Sequence, residues 1–176
     1  MAAITPRIAF FDTKPYDRLF FDEANASFKF PIRYFQGHLD GSTVALARGF
    51  NTVCIFVNDI VDGRMVRTLK KNGVELIALR CAGYNNVDFV TAFRQGLHVV
   101  RVPAYSPHAV AEHAMALILS LNRKTHRAYG RTRDSNFTID GLMGFDLFGK
   151  TAGIVGTGAI GRVLIRILKG FGLEVL

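Results

Sequence analysis

Short apolar runs alternate with polar turns over the first hundred residues. Arg7-Ile8-Ala9-Phe10-Phe11 is apolar and stops at Asp12, the pattern of a buried strand. A helix is predicted from Pro15 to Ala26, with Thr13 as its N-cap and Pro15 early, where a missing N–H costs little. Ile32-Arg33-Tyr34-Phe35 and the β-branched run Thr52 to Val57 read as the next two strands, the latter closed by Asn58-Asp59. Arg64 to Lys71 places Met65, Val66 and Leu69 at helical spacing, and Asn72-Gly73 stops it. Leu76 to Leu79 is a strand, Val87 to Gln95 a helix ended by Gly96, and His98 to Val102 a strand. Strands joined by helices require crossover connections and hence a parallel sheet, an α/β fold.

Pro103 and Pro107 punctuate the chain, so a first domain is placed over residues 1–102 and a second over 103–176. The helix predicted from Pro107 to Asn122 is apolar on nearly every side, and such a helix must be buried, between domains or between subunits. Residues 122–149 are mixed, basic first and then punctuated by Gly and Asp. From Lys150 a new unit opens: strand Thr151 to Val155, glycine turn Gly156 to Gly161, helix Arg162 to Gly170, and a second strand from Leu173 to Leu176.

That turn, Gly156-Thr157-Gly158-Ala159-Ile160-Gly161, is a GxGxxG between a strand and a helix, the context the dinucleotide fingerprint requires. Gly156 allows the tight turn, Gly158 lets the backbone approach a pyrophosphate, and Gly161 lets helix and strand pack closely. The helix N-terminus adds free N–H groups and a positive dipole end. The ribose-binding acid expected about 20 residues on falls at the chain's last residue. Glu174 lies too early, within the strand, so the choice between NAD and NADP is open. One strand, one helix and a strand stub leave Ile154, Val155, Leu164, Ile167, Leu168 and Phe171 without cover, so the chain is expected to be a fragment.

Composition adds limits. Of the 176 residues 49% are hydrophobic and 20% charged, a globular balance, and no run approaches the ~18 apolar residues of a membrane span. Met1 to Ile8 reads as a polar lead into a strand, without the order of a signal peptide. Cys54 and Cys81 lie in apolar runs and read as reduced core thiols of a cytoplasmic protein, with no disulfide framework or metal site. The net charge of +8 is spread over Arg64 to Lys71 and Arg123 to Arg133 as solvated faces, which argues against nucleic acid but favours anionic ligands.

Several stretches resemble the D-2-hydroxyacid dehydrogenase family, and within it the fermentative D-lactate branch. They are Val53 to Asp59, Ile77 to Asp88, Val99 to His113, Leu121 to Arg123 with Arg131 to Asp134, and Gly149 to Gly161. The resemblance covers nearly the whole chain, but only the N-terminal half of such an enzyme. It implies a flavodoxin-like parallel-sheet substrate domain, followed by the truncated start of a Rossmann domain, with an active site in the cleft of the complete enzyme. It implies that the backbone at Ala82-Gly83 holds the substrate carboxylate, that Tyr105 approaches the substrate, and that Val110 lies near the nicotinamide of NAD. Ala159 and Ile160 would offer N–H groups to the pyrophosphate. The family's catalytic His, Glu and Arg lie further along, so no catalytic residue is assigned here. The implied parent reaction interconverts pyruvate and D-lactate in a homodimer or higher homo-oligomer. The chain alone is expected to show no turnover and weak or no NAD affinity. The alternative is a non-enzymatic NAD-binding or dimerising regulatory module of the same fold.

Five histidines are present, and none is expected to be the general acid/base. His108 and His113 are five apart, where helical metal pairs prefer four. His113 reads as an interior or interface residue, and His38, His98 and His126 as surface or element-end residues. Tyr84 reads as a loop-packing aromatic.

Overall fold

The computed structural model describes residues 5–176. The first four residues of the lead read over Met1 to Ile8 therefore lie outside the described residues. The chain forms two compact units, Met1–Tyr105 and Ser106–Leu176.

In the first unit the strands are β1 (Ile8–Phe10), β2 (Ile32–Tyr34), β3 (Thr52–Ile55), β4 (Leu76–Leu79) and β5 (His98–Arg101), all parallel, in the order β2-β1-β3-β4-β5. This is the flavodoxin-like order, with its switch point between β1 and β3. Strands β1, β2, β3 and β5 are a residue or two shorter than their apolar runs, and β4 matches its run. Central β3 is buried at every residue, as a strand covered on both faces must be. Helix α1 (Pro15–Asn25) follows β1, α2 (Gly63–Lys71) follows β3 and α3 (Phe89–Arg94) follows β4. The principal core joins Phe11, Val53, Ile55, Ile77 and Leu79 to Met65, Val66 and Leu69 of α2 and Ala92 of α3. Burying each such aliphatic side chain contributes about 1.5–3 kcal/mol.

Caps locate these helices. The Asp62 carboxylate accepts the Met65 N–H at 2.8 Å and starts α2. Asp88 accepts the Thr91 N–H at 2.9 Å and starts α3, two residues later than the apolar pattern indicates. For α1 the N-cap is Lys14, not Thr13. The Thr13 hydroxyl donates back to the Phe10 carbonyl at 3.2 Å, while Asp17 accepts the Lys14 N–H at 2.8 Å and closes the first turn. A 3-10 turn over Val44–Ala47 was not legible in the sequence.

The second unit contains α4 (Pro107–Arg123), α5 (Thr125–Arg133), β6 (Thr151–Ala152), α6 (Ala159–Gly170) and β7 (Glu174–Val175). Strands β6 and β7 are parallel, with Thr151 beside Glu174. Helix α4 is capped by Ser106, whose hydroxyl oxygen accepts the Ala109 N–H at 3.2 Å, and it ends where Lys124 turns left-handed at φ +52°. Within this unit helix α4 packs on α6 and buries Ala111 and Met115, while His113, Leu117 and Leu121 are exposed. One expectation is corrected: Leu168, expected to lack cover, is only 3% exposed, whereas Val155 and Phe171 are exposed.

Candidate functional site

The first candidate lies just past β4. Arg80-Cys81-Ala82-Gly83-Tyr84 leaves the sheet as a turn, and its carbonyls are pinned one after another. The Val102 N–H donates to the Cys81 carbonyl at 3.2 Å. Arg101 Nη1 donates to the Ala82 carbonyl at 2.9 Å. The Cys81 thiol donates to the Gly83 carbonyl at 3.3 Å. In a trans peptide the C=O and the following N–H point in opposite directions. Fixing these three carbonyls therefore fixes the N–H groups of Ala82, Gly83 and Tyr84, directed away from them. Among the described residues none of those three N–H groups has a protein acceptor. Successive free N–H groups in a turn form an anion-binding nest. Burial raises the Cys81 thiol pKa, against the opposing pull of Arg80, so the thiol keeps the proton it donates.

Behind this turn, at the switch point of the sheet, lies a buried charged cluster that the sequence reading missed. The Arg80 side chain is only 8% exposed. It donates to the Phe11 carbonyl at 3.0 Å and the Asp12 carbonyl at 2.6 Å, and its Nε stands 3.4 Å from Asp17. Its guanidinium lies over the rings of Phe10 and Phe56, at 4.5 and 4.7 Å. Asp12 is left-handed at φ +49° and fully buried, with Lys14 at 2.6 Å and His38 at 3.6 Å. Asp12 Oδ2 has no partner among the described residues. Asp59 accepts the N–H groups of Leu39 and Phe56, and burial raises its pKa despite those bonds. Asn86 donates to the Phe56 and Asp59 carbonyls at 2.9 Å each. A charged residue directly after each apolar strand, at Asp12 and Arg80, with Asp59 a few residues past β3, is the signal that could have found this cluster.

Tyr105, the last residue of the first unit, is 62% exposed, and its hydroxyl has no partner among the described residues. Tyr84 packs edge-on to Phe89 at 5.7 Å and carries the Arg101 guanidinium over its ring at 5.2 Å, the packing role expected of it.

The second candidate is the glycine turn of the second unit. Gly156 takes φ +100°, a conformation that favours glycine. Gly158 is the N-cap of α6, which begins at Ala159 and not at Arg162, so Ala159, Ile160 and Gly161 form its first turn. Among the described residues their three N–H groups have no protein acceptor, as helix starts without a side-chain cap leave them. A methyl group at Gly161 would collide with the Gly156 carbonyl, whereas one at Gly158 would meet no protein atom within 4 Å. The close helix–strand packing is thus built in at Gly161, and the open approach at Gly158. Thr157 is exposed on the turn, and Val110 is 44% exposed at the end of the first turn of α4. The residues fit the pyrophosphate of a dinucleotide.

The five histidines are dispersed. His38 faces Asp12 and Asp59, His98 lies on β5, His108 lines a groove of about 640 Å³ between α4 and α6, and His113 and His126 are exposed. Among the described residues no group of three metal-binding side chains gathers, and no helix is long and apolar enough to cross a membrane. Cys54 and Cys81 are buried free thiols.

A flavodoxin-ordered parallel sheet followed by a strand–GxGxxG–helix unit places the chain in the α/β class. Residues 8–164 match the family model described as D-isomer specific 2-hydroxyacid dehydrogenase, catalytic domain, and the chain belongs to this family. It is 52% identical over 170 residues to D-lactate dehydrogenase of Escherichia coli, covering 97% of this chain and 52% of that relative. The apo-structure of D-lactate dehydrogenase from Escherichia coli superposes with a TM-score of 0.89 at 47% identity, over 97% of this chain and 60% of that one. The NAD+ complex of D-lactate dehydrogenase from Lactobacillus jensenii superposes with a TM-score of 0.69 at 28% identity, over 96% and 52%. The chain spans about half the length of the curated relatives it matches.

Proposed function

We propose that this chain supplies the substrate-carboxylate turn and the cofactor-pyrophosphate turn of an NAD-dependent oxidoreductase that interconverts pyruvate and D-lactate. The observation that carries this reading is the run of fixed, acceptor-free N–H groups at Ala82, Gly83 and Tyr84. Two such donors suit one carboxylate, and Arg101 beside them adds positive charge. Gly156 to Gly161 holds the pyrophosphate on the backbone N–H groups of Ala159 and Ile160, with Val110 beside the nicotinamide and Tyr105 beside the substrate. NAD, when bound, takes or gives the hydride. The complete L. jensenii relative with NAD+ supports that cofactor. None of the five histidines is given the proton transfer, and the 176-residue chain alone is proposed not to turn over. The exposed Leu117 and Leu121 on α4 favour a homo-oligomer, and the two buried free thiols favour a cytoplasmic setting.

The test is a chimera in which this chain replaces the matching segment of the Escherichia coli relative. Pyruvate-dependent NADH oxidation yielding D-lactate supports the proposal. A soluble, folded chimera that oxidises no NADH with pyruvate rejects it. Turnover by the isolated 176-residue chain would reject the proposed division of labour.

A further inference from the structure

The pinning of the 81–84 turn singles out one side chain. Arg101 ends β5, and its Nη1 reaches the Ala82 carbonyl at 2.9 Å. The same nitrogen lies 3.5 Å from the Val102 carbonyl and 3.4 Å from the Pro103 carbonyl, so the guanidinium gathers three carbonyls from two segments. The Tyr84 ring beneath it at 5.2 Å, itself braced by Phe89, limits where that guanidinium can go. The Ala82 carbonyl and the Gly83 N–H belong to one rigid trans peptide, so whatever holds the first aims the second. Residue 83 is glycine, with open space where a Cβ would stand, so its own torsions restrain this peptide little. The neighbouring peptides are held differently, by the Val102 backbone and by the Cys81 thiol. No second side chain holds the Ala82 carbonyl among the described residues.

We infer that Arg101 is a positioning residue: it holds the Ala82 carbonyl so that the Gly83 N–H faces the substrate carboxylate, without touching the substrate. This rests on the reading of the Ala82–Gly83 turn as the carboxylate site. A freed peptide would spend part of its time flipped, presenting a carbonyl oxygen to an anion, and binding would weaken in proportion. Lysine keeps the charge and can still donate to the Ala82 carbonyl, though without the planar fork or the same stacking on Tyr84. Glutamine lacks the charge, and its amide nitrogen falls two bonds short of the position of Arg101 Nη1, whereas the lysine Nζ falls one bond short.

The experiment uses the isotope-labelled 176-residue chain and two variants, Arg101→Gln and Arg101→Lys. The Ala82 carbonyl carbon shift and the Gly83 amide shift are read first without ligand, then with oxamate, a non-reducible isostere of pyruvate. Arg101 is exposed at the end of an edge strand, so both variants are expected to fold, which the unchanged shifts of β3 verify. The inference predicts that Arg101→Gln moves the Ala82 carbonyl shift before any ligand is added and weakens oxamate roughly tenfold, the scale of one charge-assisted hydrogen bond after solvent screening. Arg101→Lys should fall between parent and Arg101→Gln on both readouts. An Ala82 carbonyl shift unmoved in Arg101→Gln, or oxamate affinity within twofold of the parent, overturns the inference. So does weakening in Arg101→Gln that Arg101→Lys fully restores with no movement at Ala82, since charge alone would then explain it. Failure of the underlying carboxylate reading is distinct: oxamate would leave the Ala82 and Gly83 amides of the parent chain unmoved.

Discussion

Two glycines of the same turn should respond oppositely to the same methyl group. At Gly161 an added Cβ runs into the Gly156 carbonyl oxygen and stands 3.7 Å from Ile154 Cγ2, so helix α6 or the turn must shift. Overpacking of this kind costs about 1–3 kcal/mol, and the better helix propensity of alanine returns up to about 1 kcal/mol. The net loss for Gly161→Ala is therefore about 1–2 kcal/mol, a fall of roughly 2–8 °C in the melting midpoint for a chain of this size. At Gly158 the added Cβ meets no protein atom, and the backbone at φ −67° suits any residue. Gly158→Ala should cost only about 0.5 kcal/mol as a poorer N-cap, within roughly 2 °C. The ligand arm reverses the order of interest. The methyl at Gly158 occupies the space through which a pyrophosphate approaches the free N–H groups of Ala159 and Ile160. Thermal unfolding followed by circular dichroism gives the stability arm, and amide shifts of Ala159 to Gly161 on adding inorganic pyrophosphate give the other. A Gly161→Ala variant as stable as Gly158→Ala would refute the packing argument. A Gly158→Ala variant that shows the parent's ligand-induced shifts would refute the approach argument.

Two further outcomes follow from the buried groups. Arg80→Met removes a buried cation and strands the Phe11 and Asp12 carbonyls and Asp17, so urea unfolding should show a loss of about 3–5 kcal/mol; a loss under 1 kcal/mol would contradict the role given to this arginine. Burial pushes the Cys54 thiol up to about 12 from its ordinary 9.0. Its contribution to stability is then fully present below pH 9 and lost as pH rises toward 12, because only the unfolded chain sheds the proton in that window. Cys54→Val should flatten that alkaline decline, and the native thiol should alkylate slowly at pH 8.

Much of the fold was legible because each apolar run is short and ends at a turn residue. The five strands of the first unit, and helix α2 with its Met65, Val66 and Leu69 face, lie where periodicity places them. Element starts were less legible, since the competing cap is a side chain whose partner is settled only in three dimensions. Thr13 and Lys14 are both plausible at the start of α1, and it is the Asp17 carboxylate that selects Lys14. The glycine turn misled in the same way: helix α6 runs back through Ile160 and Gly161 because their N–H groups need no partner in the first turn. Helix α4 shows that an apolar composition states a need for cover without saying how much one unit provides. At the site, the GxGxxG and the Ala82–Gly83 turn could be named from sequence pattern and resemblance. The Arg101 and Cys81 contacts could not, because a side chain's choice among nearby carbonyls depends on where β4 and β5 end side by side.

The most direct test of the account is an amide-resolved titration of the labelled 176-residue chain with oxamate. The account predicts that the amides of Ala82, Gly83 and Tyr84 shift together and saturate, while those of α2 and β2 stay still. Saturating shifts elsewhere with these three unmoved would contradict it.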